Sequence, residues 1–264
     1  MPAKDPVREA DRTDGRSGKR RTRLKLTIAY DGSAFKGWQS QPFGATVQDV
    51  IEEALKRISG RRIVVHGAGR TDTGVHAIGQ CAHIDVSGPL PAAEWQRILN
   101  FNLPETIRIM RCQKVSQSFH AQHSARGKIY RYFIRNQNVG LPLEANRVWL
   151  VPDMLDPALL RRTAGMFVGC HDFGGFAANR SAPDRTVRTL NRIRIVRKGT
   201  LIALTFEGEG FLYRMVRMLT GAIVRVASGK DSLEEVERRL REPVRPNWNH
   251  AAPAAGLHLI KVTY

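Results

Sequence analysis

The chain has 264 residues, 42% of them hydrophobic, which is enough for a sizeable core in one or two domains. No apolar run approaches bilayer-crossing length, and the opening MPAKDPVREADRTDG lacks the apolar stretch of a secretory signal and is too acidic for a transit peptide, so the expected compartment is the cytoplasm. A formal net charge of +18 makes a polyanion the expected partner, and basic charge by itself leaves RNA, DNA and an anionic membrane open.

Residues 1–22 are polar and charged and cannot bury enough surface to offset ordering, so they read as a flexible basic arm. From Arg23 the pattern alternates, with Leu24, Leu26, Ile28 and Tyr30 on one side of a half-buried strand that ends at an Asp31-Gly32 turn. Thr46 is the expected N-cap of a helix carrying Val47, Val50, Ile51, Ala54, Leu55 and Ile58 at helical spacing, closed by Gly60. A short strand at Ile63–Val65 is expected to feed a loop, Gly67–Gln80, reading GAGRTDTGVHAIGQ. Further strands are expected at Cys81–Val86 and Thr106–Val115, with a helix at Pro91–Asn100 between them. These elements describe an α+β unit with a mainly antiparallel sheet, spanning residues 23–117.

A second α+β unit is expected over residues 118–264. Ser118–Arg126 has no periodicity and marks the junction, and Lys128–Arg135 is a strand with Tyr130 and Tyr132 on one face. A helix over Asp156–Val168 leads into a glycine-rich turn, GCHDFGGF. Arg185–Arg197 and Leu201–Phe206 form a strand pair across Lys198-Gly199-Thr200, and the arginines of the first either track phosphates or, on the favoured reading, solvate an outer face. Phe211–Ala227 is a core helix whose apolar stripe is too broad for Arg214, Arg217 and Arg225 all to avoid it, so one is expected to reach into a cleft. Ser232–Arg241 is a helix with a Ser-x-x-Glu start, and Gly256–Tyr264 is a closing strand.

The loop at Gly67–Gln80 carries the chemistry. Glycines 67, 69 and 74 allow a tight turn or close approach to a ligand. The third glycine of a dinucleotide fingerprint is replaced by Asp72, and the G-K-[ST] ending of a Walker loop is absent. A carboxylate in that place would repel a phosphate, so the loop is built to present one, with Arg70 two residues away as a candidate ion-pair partner. Cys81, Cys112 and Cys170 are odd in number, far apart and in no C-x-x-C pair, and read as small core hydrophobes. His120 and His123 lack the spacing of a metal motif, so no metal site is expected.

Taken together, YDGSAFKGWQSQ, GAGRTDTGVHAIGQ, FHAQHSARGKIYRYF, GCHDFGGF, FLYRMVRMLTG and AAGLHLIKVTY resemble the TruA family of tRNA pseudouridine synthases, from about residue 24 to the end. The resemblance implies two RNA-recognition-like (ferredoxin-like) halves whose sheets meet at a central catalytic cleft. It implies isomerisation of uridine to pseudouridine in the tRNA anticodon stem-loop, typically positions 38 to 40, by a homodimer without cofactor or metal. Carried over residue by residue, the catalytic carboxylate falls on Asp72 and the arginine of the same loop on Arg70. The aromatic that stacks on the uracil falls on Tyr130, the basic partner of the aspartate on Arg217, and an apolar wall beside the base on Leu257. Gly69, Thr71 and His76 are the remaining expected substrate contacts. FHAQHSA departs from the common FHARFSA at Gln122 and His123, which removes a positive charge near the junction. A basic RNA-binding protein without catalysis is the alternative, and a phosphate-ester hydrolase is disfavoured because no metal constellation is visible in the sequence.

Overall fold

A computed structural model describes residues 21–178, 186–242 and 250–264. The expected basic arm therefore lies, except for its last two residues, outside the described residues. The chain forms a ten-stranded sheet with five α-helices among the described residues. In the first half the strands are β1 (Arg21–Tyr30), β2 (His66–Gly67), β3 (His76–Ser87) and β4 (Ile107–Val115), with helices α1 (Val47–Ser59) and α2 (Ala92–Asn102). In the second half they are β5 (Gly127–Asn136), β6 (Trp149–Val151), β7 (Gly169–Asp172), β8 (Val187–Lys198), β9 (Leu201–Gly208) and β10 (Leu257–Thr263). Helices α3 (Pro157–Met166), α4 (Met215–Ala227) and α5 (Leu233–Arg241) belong to the second half.

The sheet order is β4-β1-β3-β10-β5-β9-β8-β7, with β2 on β3 and β6 on β5. Pairing is antiparallel except at β3–β10 and β5–β6. The two halves thus share one sheet, joined where the C-terminal strand lies parallel to β3 through His258↔His76 and Leu259↔Ala77. That seam is narrow and depends on close approach: a side chain at Gly79 would meet the Ile260 carbonyl oxygen at 2.2 Å.

Local sequence explains most of the elements. The β1 alternation buries Leu24, Leu26, Ile28 and Tyr30. Thr46 caps α1 through a reciprocal capping box with Asp49, and Gly60 closes it in the left-handed conformation at φ 71°. Asp156 caps α3 by accepting from the Ala158 and Leu159 amides, and Ser232 caps α5 by accepting from Glu235. The buried side chains form one cluster running through both halves. No helix among the described residues is long and apolar enough to cross a membrane.

Several boundaries differ from expectation. The strand after α1 is His66–Gly67, not Ile63–Val65: only those two residues find ladder partners, at His83 and Ala82. The second part of the expected loop is strand, because β3 begins at His76 and pairs with β1 from Tyr30↔Ala77 onward. GCHDFGGF opens with a strand residue run, Gly169–Asp172, paired with β8. Helix α4 starts at Met215, after Arg214 at φ 58°, leaving Phe211–Tyr213 as a non-helical approach. Cys81 and Cys112 are buried as expected, whereas Cys170 is exposed, since β7 lies at the sheet edge.

Candidate active site

The loop leaves β2 at Gly67 and returns at β3, and three contacts fix it, one each from the segment after β1, the end of β1 and β3. The Trp38 amide donates to the Thr71 carbonyl at 3.1 Å. The Thr71 hydroxyl meets the Tyr30 hydroxyl at 2.8 Å, both groups being buried. The Gln80 side-chain amide donates to the Gly69 carbonyl at 2.9 Å. The Val75 amide then donates to the Asp72 carbonyl at 3.1 Å, turning the backbone so that the Asp72 side chain faces the second half of the chain.

There it meets Arg217. The Arg217 Nη1 donates to Asp72 Oδ2 at 2.9 Å, with side chains only 14% and 18% exposed respectively. The guanidinium is itself held: its Nε donates to the Ala252 carbonyl at 2.8 Å, and the Ala252 amide donates back to the Arg217 carbonyl at 3.0 Å. A charge-assisted bond supported in this way is short, strong and fixed in direction. The partner of Asp72 is therefore Arg217 on α4, not Arg70, whose side chain is exposed at the rim. Of the three α4-region arginines, Arg225 pairs with Asp231, Arg214 lies over the Tyr213 ring and lines the cleft, and Arg217 is the one that pairs with Asp72.

Asp72 faces a cavity of about 450 Å³ between the halves, lined also by Gly69, Arg70, Thr71, Tyr130 and Leu257 among others, while Arg217 holds the carboxylate without lining the cavity itself. Tyr130 is 7% exposed, on β5, and meets the Phe211 ring edge-on at 5.1 Å between centroids. Burial raises its phenol well above the ordinary range, so the ring is neutral. Leu257, 6% exposed, begins β10 two residues from Leu259, the cross-strand partner of Tyr130. The arrangement offers a carboxylate with its counter-charge, a flat aromatic face and apolar walls, a setting suited to a flat polar ring beside an ionised acid.

Of the sequence-predicted site residues, Arg217 and His76 do not line this cleft: Arg217 touches it through Asp72, whereas His76 lies elsewhere. Its Nδ1 accepts from the Gly32 amide at 3.1 Å, which leaves Nε2 to donate to the Asn146 carbonyl at 2.6 Å, and its ring stacks on His258 at 4.6 Å. It lines a separate cavity with Asp31, Arg147 and His258 and anchors the Asp31-Gly32 turn to the segment before β6. Residue spacing missed Phe211 and Lys128, which line the main cleft together with Trp38. Phe211 had a signal, being an aromatic just before an amphipathic helix. Lys128 had none, since it is one cation among many.

His120, which spacing left without partners, gains them in space: nitrogens of His66, His83 and His120 lie within 4.8 Å of one another. Their hydrogen bonds count against a cation there. His83 Nδ1 accepts from the Ala121 amide at 3.1 Å, and His120 Nδ1 accepts from the Gln122 and His123 amides at 3.2 and 3.3 Å. In the neutral rings those bonds leave the proton on Nε2, so neither ring has a free lone pair to coordinate a metal. Burial and the neighbouring imidazoles and Arg23 bring His83 down to about 4.

Comparison with known proteins places these features in context. A sequence profile described as tRNA pseudouridine synthase matches residues 26–124 and 163–264. A tRNA pseudouridine synthase A of Akkermansia muciniphila is 42% identical over 252 residues, covering 92% of this chain and 95% of that protein. Its counterpart from Acetivibrio thermocellus is 38% identical over 241 residues, 91% of this chain and 99% of that protein. That of Citrifermentans bemidjiense is 40% identical over 242 residues, 91% and 97%.

Proposed function

Because the chain belongs to the tRNA pseudouridine synthase family and is thus an isomerase acting on tRNA, we propose that its cleft converts uridine to pseudouridine in the anticodon stem-loop with Asp72 as the catalytic carboxylate. The observation that carries this reading is the Asp72–Arg217 pair, which joins one half of the chain to the other at the wall of a cleft lined by Asp72 and Tyr130. A protein that only binds RNA has no use for a carboxylate among phosphates. An isomerase has, since the reaction breaks the N1–C1′ bond, turns the uracil, forms C5–C1′ and moves the C5 proton away while N1 gains one. A positioned carboxylate serves as nucleophile or as base at the sugar.

Arg217 holds that carboxylate in one orientation. Arg70, at the rim, meets the incoming strand. The target base leaves its stack at a cost of a few kcal/mol, and a face on Tyr130 returns roughly 1–3 kcal/mol. Leu257 closes the apolar side, and Gly69 and Thr71 hold the loop backbone against the base. The enzyme works as a homodimer in the cytoplasm.

The test is pseudouridine formation in an anticodon stem-loop by Asp72→Ala beside wild type. Turnover is expected to vanish while the fold and RNA binding persist. Substantial turnover by the variant would overturn the assignment, and a wild type that binds RNA without forming pseudouridine would favour a binding module.

A further inference from the structure

The cleft is lined by a cation, Lys128, whose surroundings differ from those of Arg70 and Arg214, which line it too but are exposed. Lys128 lies near the start of β5, between β10 and β9, in register with Val262 and Gly208. Its side chain crosses to the other half of the molecule and lies against the loop: a methyl group placed on Gly69 would sit 2.5 Å from Nζ and 3.3 Å from Cε. Glycine at position 69 is therefore what admits the ammonium. Among the described residues no carboxylate lies within ion-pairing distance of it, and the one acid in the cleft, Asp72, is engaged by Arg217.

Burial without an anion disfavours the charged form and lowers the Lys128 ammonium from its ordinary range. A half-buried ammonium aimed into a cavity and left without a protein anion gains most from an anionic ligand. Free carboxylates and inorganic phosphate share that chemistry, but in a cleft that receives a nucleotide the anion delivered with every substrate is the phosphodiester.

We propose that Lys128, seated on Gly69, forms a phosphate subsite of the cleft and takes the phosphodiester adjoining the nucleotide bound beside Asp72. The subsite rests on the reading of the cleft as a uridine isomerase. It differs from the exposed arginines of the surface in being built: its backbone wall is fixed by the Gln80–Gly69 hydrogen bond and its strand lies inside the sheet. It holds the strand at one point so that the base, once out of its stack, meets Tyr130 and not solvent.

The experiment is a binding cycle on the full chain, with an anticodon stem-loop RNA and the same RNA carrying an uncharged methylphosphonate at the linkage 5′ or 3′ of the target uridine. Lys128→Gln is expected to weaken binding on the order of tenfold and to reduce the salt slope by about one. At one of the two linkages the uncharged RNA should bind wild type more weakly, by a similar factor, and Lys128→Gln with no further loss. Losses that multiply at both linkages, or an unchanged affinity and slope, overturn the subsite. Retained affinity with a displaced pH profile of kcat overturns it too, in favour of proton transfer. Lys128→Met, which keeps the apolar stem, replaces Lys128→Gln if that variant misfolds. Binding is measured apart from turnover, so failure of wild type to form pseudouridine would refute the isomerase reading without deciding the subsite.

Discussion

The Asp72–Arg217 pair makes a thermodynamic prediction separate from activity. Arg217→Met removes the guanidinium and leaves a carboxylate that is 82% buried, being 18% exposed, without its counter-charge. Breaking a fully buried pair in this way costs about 3–5 kcal/mol. Partial contact with water brings the figure to about 3 kcal/mol, including roughly 1 kcal/mol for the lost bond to the Ala252 carbonyl. Asp72→Asn keeps a hydrogen-bonding oxygen and leaves Arg217 its Ala252 partner, so its cost is about 1 kcal/mol. The double variant removes both charges and should be less destabilised than the sum of the two by on the order of 1–2 kcal/mol. Urea titration of all four proteins at fixed ionic strength measures the three differences, provided the m-values agree. Additivity within about 0.5 kcal/mol would mean that the pair contributes nothing in solution. Arg217 would then not be what holds Asp72 in place.

Three further outcomes are expected. Tyr130→Phe keeps the aromatic face and should retain most of the single-turnover rate, whereas Tyr130→Leu should lose about 1–3 kcal/mol of substrate interaction, measured as kcat/KM on a stem-loop; equal losses would remove stacking as the reason for the ring. His83, 2% exposed and held down to about 4, is neutral in the folded protein while its unfolded counterpart takes up a proton below about 6.5. Stability present above that pH is therefore lost as pH falls toward 4, by up to about 2 kcal/mol between pH 6.5 and 5; His83→Asn, which keeps an acceptor for the Ala121 amide, should flatten this part of the urea-midpoint profile, and an unchanged slope would refute it. Gly79→Ala forces a methyl group to within 2.2 Å of the Ile260 carbonyl at the seam between the halves and should destabilise the protein by roughly 1–3 kcal/mol while lowering turnover, with wild-type values for both as the refuting result.

What the sequence made legible follows from where the information lies. Helix α1 could be read from Thr46 to Gly60 because its cap, apolar stripe and stop are all local, and β1 because one face is buried along its length. The start of β3 was hidden because its first residues, His76 and Ala77, read as loop until their partners Tyr30, His258 and Leu259 are in place. The same holds for the site. Asp72 was visible as a carboxylate among small residues, but Arg70, its sequence neighbour, is not its partner. Arg217 is, across 145 positions, and only the packing of α4 against the loop selects it.

The histidines carry this point further. In the motif GVH, His76 stands four residues from Asp72, and proximity in sequence makes it a substrate contact. Strand alternation and the Gly32 and Asn146 hydrogen bonds turn it to the other side of the sheet, where it fastens the turn after β1 to the segment before β6. Lys128 shows the converse: no motif marks it, yet the absence of a side chain at Gly69 gives its ammonium a seat in the cleft. The small residues of the loop thus do more than let the backbone turn. At Gly69 they leave room for a cation from the other half, so that the same stretch which presents the carboxylate also admits the charge that offsets a phosphate.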